Sequence, residues 1–361
     1  MPRPARRARG LRPGPAARPL AVLAAVAFVA CGAPAGPAAV PAPTTTGPPP
    51  AAATPTPSAS PSPLAFGAAT GSVSLVFGGD VDLDRTTRTA IANGGVDAPW
   101  RYLAPTLRAA DVAMLNLECS VSRRGTPEVK SYRFRGDPAA MAGARNAGVD
   151  VLSSANNHAV DYGFGALADT LATVRANGIA SVGAGRTLAE AQRPAVFTVN
   201  GRRVAFVGIS AIIPAPKWKA GAASPGVAYD DDAQITEQVR KAKAVADIVI
   251  PYFHWGVEYT YAPSAAQRRA ARTAIRAGAT MVVGTHPHVL QPIEVVDGHL
   301  VAWSLSNLVF QSNPASIHTE LLKVTINRDG SVDWATEPYL ITRGVPRPEP
   351  GRAPKKGHVP A

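Results

Sequence analysis

Five apolar runs of strand length in this chain each end on a residue that can bind a metal or move a proton. The run 72–77 leads into Gly78-Gly79-Asp80, with Asp82 two residues on. The run 112–117 ends at Asn116-Leu117-Glu118, and 149–153 leads into Asn156-Asn157-His158. The run 247–253 ends in His254-Trp255-Gly256, and 281–284 in Thr285-His286-Pro287-His288. Of the seven histidines in the chain, four fall in this set, which random placement would not produce. Taken singly, each group has a plainer explanation. Asp80 could cap a turn, Glu118 could pair in a salt bridge, Asn157-His158 could satisfy a turn and His254 could be a core histidine. Five strand ends explained by one site outweigh five separate accounts. In open α/β sheets ligands bind outside the carboxyl ends of the strands.

Asp, Glu, Asn and His together form a hard-to-borderline donor set. It suits Mn²⁺, Fe or Zn²⁺, and with more oxygen ligands Mg²⁺ or Ca²⁺. One or two divalent ions are expected. A pair about 4 Å apart clamps an in-line displacement and generates hydroxide at neutral pH.

The elements that must position these groups alternate between strand and helix. Helices are expected at 100–109, 138–146, 164–177, 231–243 and 264–277. A strand at 202–209 should pair with 195–199 through the Asn200-Gly201 turn. After residue 284 the pattern changes to hairpins, one turning at Asp297-Gly298 and one at Asp329-Gly330. Alternation followed by hairpins reads as one layered α/β domain with mixed sheets, here residues 71–343.

The ends of the chain read differently. Residues 3–18 are Arg-rich and 20–30 form an apolar run, shorter than the about 20 residues a membrane span needs. A charged stretch before a short apolar one is a secretory signal, assigned to 1–31. Phe28-Val29-Ala30-Cys31 resembles a lipobox, with Cys31 as the lipidation site; cleavage by an ordinary signal peptidase is the competing reading. Residues 32–70, rich in Pro, Ala, Thr and Ser, read as a disordered tether. Residues 344–361, Pro-rich and basic, read as a disordered tail. The net charge of +12 is concentrated in the two ends, and no basic stripe interleaved with aromatics marks a nucleic-acid face. A local cluster near Glu118, Arg123, Arg124, Lys130, Arg133 and Arg135, could face an anionic substrate; its plainer reading is a solvated loop.

In order and spacing, Gly79-Asp80, Asn116-Leu117-Glu118, Asn156-Asn157-His158-Ala159-Val160-Asp161-Tyr162-Gly163, His254-Trp255-Gly256-Val257-Glu258-Tyr259, Gly284-Thr285-His286-Pro287-His288-Val289-Leu290-Gln291-Pro292 and Ser304-Leu305-Ser306-Asn307 resemble the CapA family of poly-γ-glutamate capsule biosynthesis proteins. The resemblance spans about residues 73–312. It implies a four-layered α/β/β/α sandwich of the calcineurin-like metallophosphatase type. It also implies metal ligands at Asp80, Glu118, Asn157, His254, His286 and His288, with His158 protonating a leaving group. Asp82 stands where the phosphoesterases carry a histidine, and is expected as a further ligand. Thr285 replaces a usual histidine and Ser306 a usual glycine. Asn116, Glu258 and Asn307 are expected to meet substrate.

Two functions from different classes follow. One is an exported metal-dependent hydrolase acting on an anionic envelope polymer or its precursor. The other is a polymer-binding partner of membrane capsule-synthase subunits, held at the membrane through a lipid anchor.

Overall fold

The computed structural model describes residues 71–311 and 314–361. The signal segment, Cys31 and the tether 32–70 lie outside the described residues.

Strand faces alternate with a period of two, and this decides the layering. In Val73–Val81, the side chains of Val73, Leu75 and Phe77 join one core while Val76 and Val81 join another. In Val112–Leu117, Val112 and Met114 point one way and Ala113, Leu115 and Leu117 the other. Arg202–Ser210 and Ile248–His254 repeat the division: Val204, Phe206, Ile248, Ile250 and Tyr252 face the shared core. Ala205, Val207, Ile209, Val249 and Phe253 face a third. Strands apolar on both faces must be covered on both faces.

Two mixed sheets therefore meet face to face. The first runs Val345–Pro348, Val332–Thr342, His318–Ile326, Val73–Val81, Val112–Leu117, Val151–Ser153, Ala180–Val182, with Asn307–Val309 beside Val73–Val81. The second runs Ile293–Val296, His299–Ala302, Met281–Thr285, Ile248–His254, Arg202–Ser210, Ala195–Val199. Helices Ala104–Ala109 and Met141–Asn146 cover the outer face of the first through Leu107, Met141 and Ala144. Helices Asp232–Lys243 and Ala265–Ala277 cover the second through Ile235, Val239, Ala270 and Ala274. The layers are α/β/β/α, as expected. Tyr252 Oη donates to the Gly78 carbonyl oxygen at 2.5 Å, bonding one sheet to the other just below the motif residues.

Many boundaries follow local chemistry. Asp231 and Ser264 cap their helices, Ser264 in a reciprocal pair with Gln267, and Gly278 ends the second in the left-handed region. Asn200 and Gly201, both at positive φ, turn the expected hairpin. A helix at Arg85–Gly94, capped by Asp84, was not expected.

The C-terminal residues correct the sequence reading. Residues 344–361 are not a disordered tail. Val345–Pro348 and Lys356–Val359 both pair antiparallel with Val332–Thr342, so the domain runs to residue 361. Val359 packs between the sheets, and Val345 is buried. The prolines of 345–348 stand on an edge strand, where a missing N–H breaks no interior ladder. Lys355 and Arg352 pair with Glu320, which is buried, so the basic residues serve an interior carboxylate.

Candidate metal centre

Asp80 is placed by two glycines. A Cβ on Gly79 would lie 1.8 Å from the Ser306 carbonyl oxygen, and one on Gly78 2.6 Å from the Leu308 side chain. Without side chains, this strand closes on Asn307–Val309, and register sets Asp80 opposite both Asn116 and Asn307. The Asp80 carboxylate is fully buried. It accepts from Asn116 Nδ2 (2.7 Å), the Thr285 hydroxyl and the His286 amide (3.2 Å). Burial raises its pKa, against the opposing pull of His288 and these hydrogen bonds.

Asn116, expected to meet substrate, faces the interior of the site. It is buried, with Nδ2 on Asp80 and 3.3 Å from His254 Nδ1, and its Oδ1 accepts from Asn156 Nδ2 at 3.1 Å. It orients groups around the centre. Asn307 lies 2.7 Å through Oδ1 from His288 Nδ1, which fixes that ring, and it also lines the pocket above.

Glu118, His254 and His286 carry the electrostatic signal. Glu118 is fully buried and neither carboxylate oxygen makes a hydrogen bond. Its Oε1 lies 3.3 Å from His254 Nε2, but that nitrogen is engaged by Asn157 Oδ1 at 2.8 Å. Burial, then the charges of Asp80 and Asp82, push the Glu118 pKa well up. Burial, then the neighbouring imidazoles, push His254 well down and His286 down to about 3. His286 Nδ1 is buried without a partner.

Three overlapping groups bring donor atoms within 4.8 Å of one another: Glu118, His254 and His286; Asp80, Glu118 and His288; and Glu258, His286 and His288. Buried polar atoms are ordinarily satisfied. Here both Glu118 oxygens and His286 Nδ1 are not, and Glu118 and His286 belong to one donor group. A divalent cation is the group that fits such a set. The Asn157 amide oxygen adds a fourth donor beside His254. Asp82 is in none of these groups. Its Oδ1 accepts from the Asp84 amide at 2.9 Å, its Oδ2 has no partner, and burial raises its pKa to about 8.

The turn Thr285-His286-Pro287-His288 holds both histidines at positive φ, 98° and 58°. Each such residue costs about 1–3 kcal/mol, which packing and hydrogen bonds around it must offset. Ser306 sits at φ 61°, a region glycine enters freely.

His158 stands at the edge of the centre. Its Nδ1 lies 2.7 Å from Asp161 Oδ2, and Phe134 stacks on its ring at 4.1 Å. Lys130 Nζ donates to Asp161 Oδ1 (2.7 Å) and to the Asn157 carbonyl (2.6 Å). Burial lowers the His158 pKa to about 4 against the opposing effect of Asp161. With Nδ1 committed to a carboxylate, Nε2 is the atom left to serve a substrate. A pocket of about 160 Å³, bordered by Tyr132, Phe134, His158, Glu258, His288 and Asn307, opens here. A wider groove of about 920 Å³ runs past Pro105, Val324 and Trp334 on the first sheet, and its lining holds none of the motif residues.

Sequence reasoning gave no role to Asp161, Phe134 or Thr285, and placed Lys130 only in the basic cluster. Asp161 lay inside the Asn-His motif, three residues after His158, and that spacing was the available signal. The basic cluster dissolves on inspection. Arg123 pairs with Asp137, Arg124 with Asp169 and Lys130 with Asp161, while Arg135 lies 3.6 Å over the Tyr162 ring.

Residues 74–312 match the family described as "Bacterial capsule synthesis protein PGA_cap". The chain is 32% identical over 280 residues to the PGA biosynthesis protein CapA of Bacillus subtilis, covering 76% of this chain and 73% of that one. It is 29% identical over 283 residues to the capsule biosynthesis protein CapA of Bacillus anthracis, covering 75% and 68%. Among solved structures, the calcineurin-like phosphoesterase YfkN from Bacillus subtilis aligns with 14% identity and a TM-score of 0.42, over 80% of this chain and 91% of that one.

Proposed function

The chain belongs to the bacterial capsule synthesis protein (PGA_cap) family, and on that premise we propose that it is an exported, metal-dependent hydrolase. It acts at the outer face of the cell membrane on an anionic envelope polymer of the poly-γ-glutamate type, or on its precursor. One observation carries the hydrolase reading: the buried, unpartnered oxygens of Glu118 converge with His254 and His286 beside a pocket that His158 lines.

Asp80, Glu118, Asn157, His254, His286 and His288 would hold the cation or cations. A bound divalent cation supplies positive charge against the charge that builds on the reacting phosphoryl or acyl group. His158 serves the leaving group through Nε2. Asp161 fixes its tautomer and stabilises the imidazolium form, and Lys130 fixes Asp161. Burial keeps the ring neutral in the free protein, so an arriving anionic substrate, which favours the charged form, brings His158 to the state that can donate. Phe134, stacked on the ring, keeps water from its face.

The test is hydrolysis of an aryl phosphate by purified protein with Mn²⁺. The expected result is activity that a chelator removes and Mn²⁺ restores, and that His286→Ala and His158→Ala abolish. Absence of turnover with Mn²⁺, Fe²⁺ and Zn²⁺ over a panel of phosphoesters and peptides would sink the proposal.

A second reading has its own support. Val129 and Tyr132 on one loop, and Val257, Tyr259 and Tyr261 on another, are exposed, and Tyr132 and Tyr259 border the pocket. Exposed tyrosines suit the binding of a chain, as an assembly partner of a membrane synthase would require. Anisotropy of a fluorescent glutamate oligomer separates the two. Binding that survives chelation favours assembly, and binding lost with the cation favours hydrolysis.

A further inference from the structure

The two donor groups that share Glu118 are unequal. Around His254 the set reaches four: Glu118, His254, His286 and the Asn157 amide oxygen. Around Asp80 it stops at three: Asp80, Glu118 and His288. Asp82 does not make up the difference, because its carboxylate is outside the group and spends one oxygen capping the Asp84 amide.

Glu258 belongs to a donor group that adjoins this one through His288. Its carboxylate lies within 4.8 Å of donor nitrogens on both His286 and His288, so it shares His288 with the three-donor group. Although it is exposed, its loop is pinned. The Tyr259 amide donates to the Pro287 carbonyl at 2.8 Å, between the two histidines, and the Trp255 amide donates to the Thr285 carbonyl at 3.0 Å. Gln291 Nε2 bonds the Thr260 carbonyl at 2.7 Å. His286, in the same donor group as Glu258, has its Nδ1 buried without a partner.

We propose that Glu258 is the fourth protein ligand of a second divalent cation, completing the set Asp80, Glu118 and His288 from the loop that follows strand Ile248–His254. The inference rests on the metal-dependent reading above, and it assigns to a glutamate on the opposite sheet the place that a histidine beside Asp80 would otherwise fill. It also makes the second cation the more exposed of the two and the first to be lost.

The experiment counts cations rather than turnover. Purified chain is stripped with a chelator and titrated with Mn²⁺ by calorimetry. Bound Mn²⁺ is then measured by mass spectrometry, and exchange coupling by electron paramagnetic resonance. The wild type should hold two coupled Mn²⁺ per chain. Glu258→Gln should hold one, uncoupled, with the second association weakened at least tenfold, and Asp82→Asn should still hold two. Equal thermal melts in chelator check that the variants fold. Two cations at unchanged affinity in Glu258→Gln, loss of one in Asp82→Asn, or a wild type with a single cation each overturn this inference and leave the hydrolase standing. A wild type that binds no cation overturns both.

Discussion

Glu118 and His158 belong to the same candidate site yet do different work, and environment makes the difference. Glu118 is buried with both oxygens unpartnered, so burial favours its neutral form until a cation compensates the charge. Glu118→Gln should abolish tight Mn²⁺ binding while leaving the fold intact, since the neutral isostere needs no counter-charge; calorimetry with Mn²⁺ checks this. His158 is held by Asp161 at 2.7 Å. His158→Ala should lower kcat for an aryl phosphate by about 10²–10⁴-fold, the usual worth of a positioned acid, with Mn²⁺ binding unchanged. Asp161→Asn should lose less, because it disturbs the tautomer and leaves the ring in place. An equal loss of Mn²⁺ binding in His158→Ala would instead make that ring a ligand. Glu118 and His158 were both legible in the sequence. The bond from Asn116 to Asp80 was not legible: an Asn at a strand end looks the same whether it faces solvent or an interior carboxylate, and only packing distinguishes the two.

At the scale of elements, the strand Val73–Val81 depends on Gly79. An alanine there would set its Cβ 1.8 Å from a backbone oxygen, which cannot move as a side chain tip can. Gly79→Ala should cost at least the about 1–3 kcal/mol of an overpacked core, read from the midpoint of urea unfolding, and should displace Asp80. The C-terminal strands give a second case. Deleting residues 344–361 removes two buried valines, Val345 and Val359. At about 1.5–3 kcal/mol each, stability should fall by at least about 3 kcal/mol. A midpoint unchanged by the deletion would restore the disordered tail. Composition misled here because prolines on an edge strand and paired cations in the loop after it look like those of a linker.

Over the whole molecule, the buried ionisable groups predict a pH dependence whose sign depends on the cation. In the metal-free protein Asp82 has its pKa raised to about 8, and Asp80 and Glu118 are raised too, by burial. A carboxyl whose folded pKa exceeds its unfolded value is favoured protonated in the fold, so its contribution is lost as pH rises through the folded value. Histidines with lowered pKa act oppositely. His158 at about 4 and His286 at about 3, against 6.5 when unfolded, cost stability as pH falls below about 6.5. Chelated protein should therefore be most stable between pH 6 and 7 by thermal melting, and its Tm should fall from pH 7 to 9. Saturating Mn²⁺ should reverse the alkaline limb, because binding needs the ionised carboxylates and neutral imidazoles that high pH supplies. A Tm that rises from pH 7 to 9 in chelator would falsify the assignment of these carboxyls.

The sequence by itself determined the five motif-bearing strands and the polar residues at their ends, because apolar period, turn chemistry and capping are written within a few neighbours of each residue. From those it followed that one α/β domain would gather Asp80, Glu118, Asn157, His254, His286 and His288. Tertiary structure alone decided which atoms meet. It put Asp82 outside the donor groups and Glu258 inside one, turned Asn116 inward, and set Asp161 and Lys130 behind His158. The reason is physical. A donor within 4.8 Å of another can come from a loop or a strand anywhere in the chain, and two packed sheets fix those distances only once both are in place.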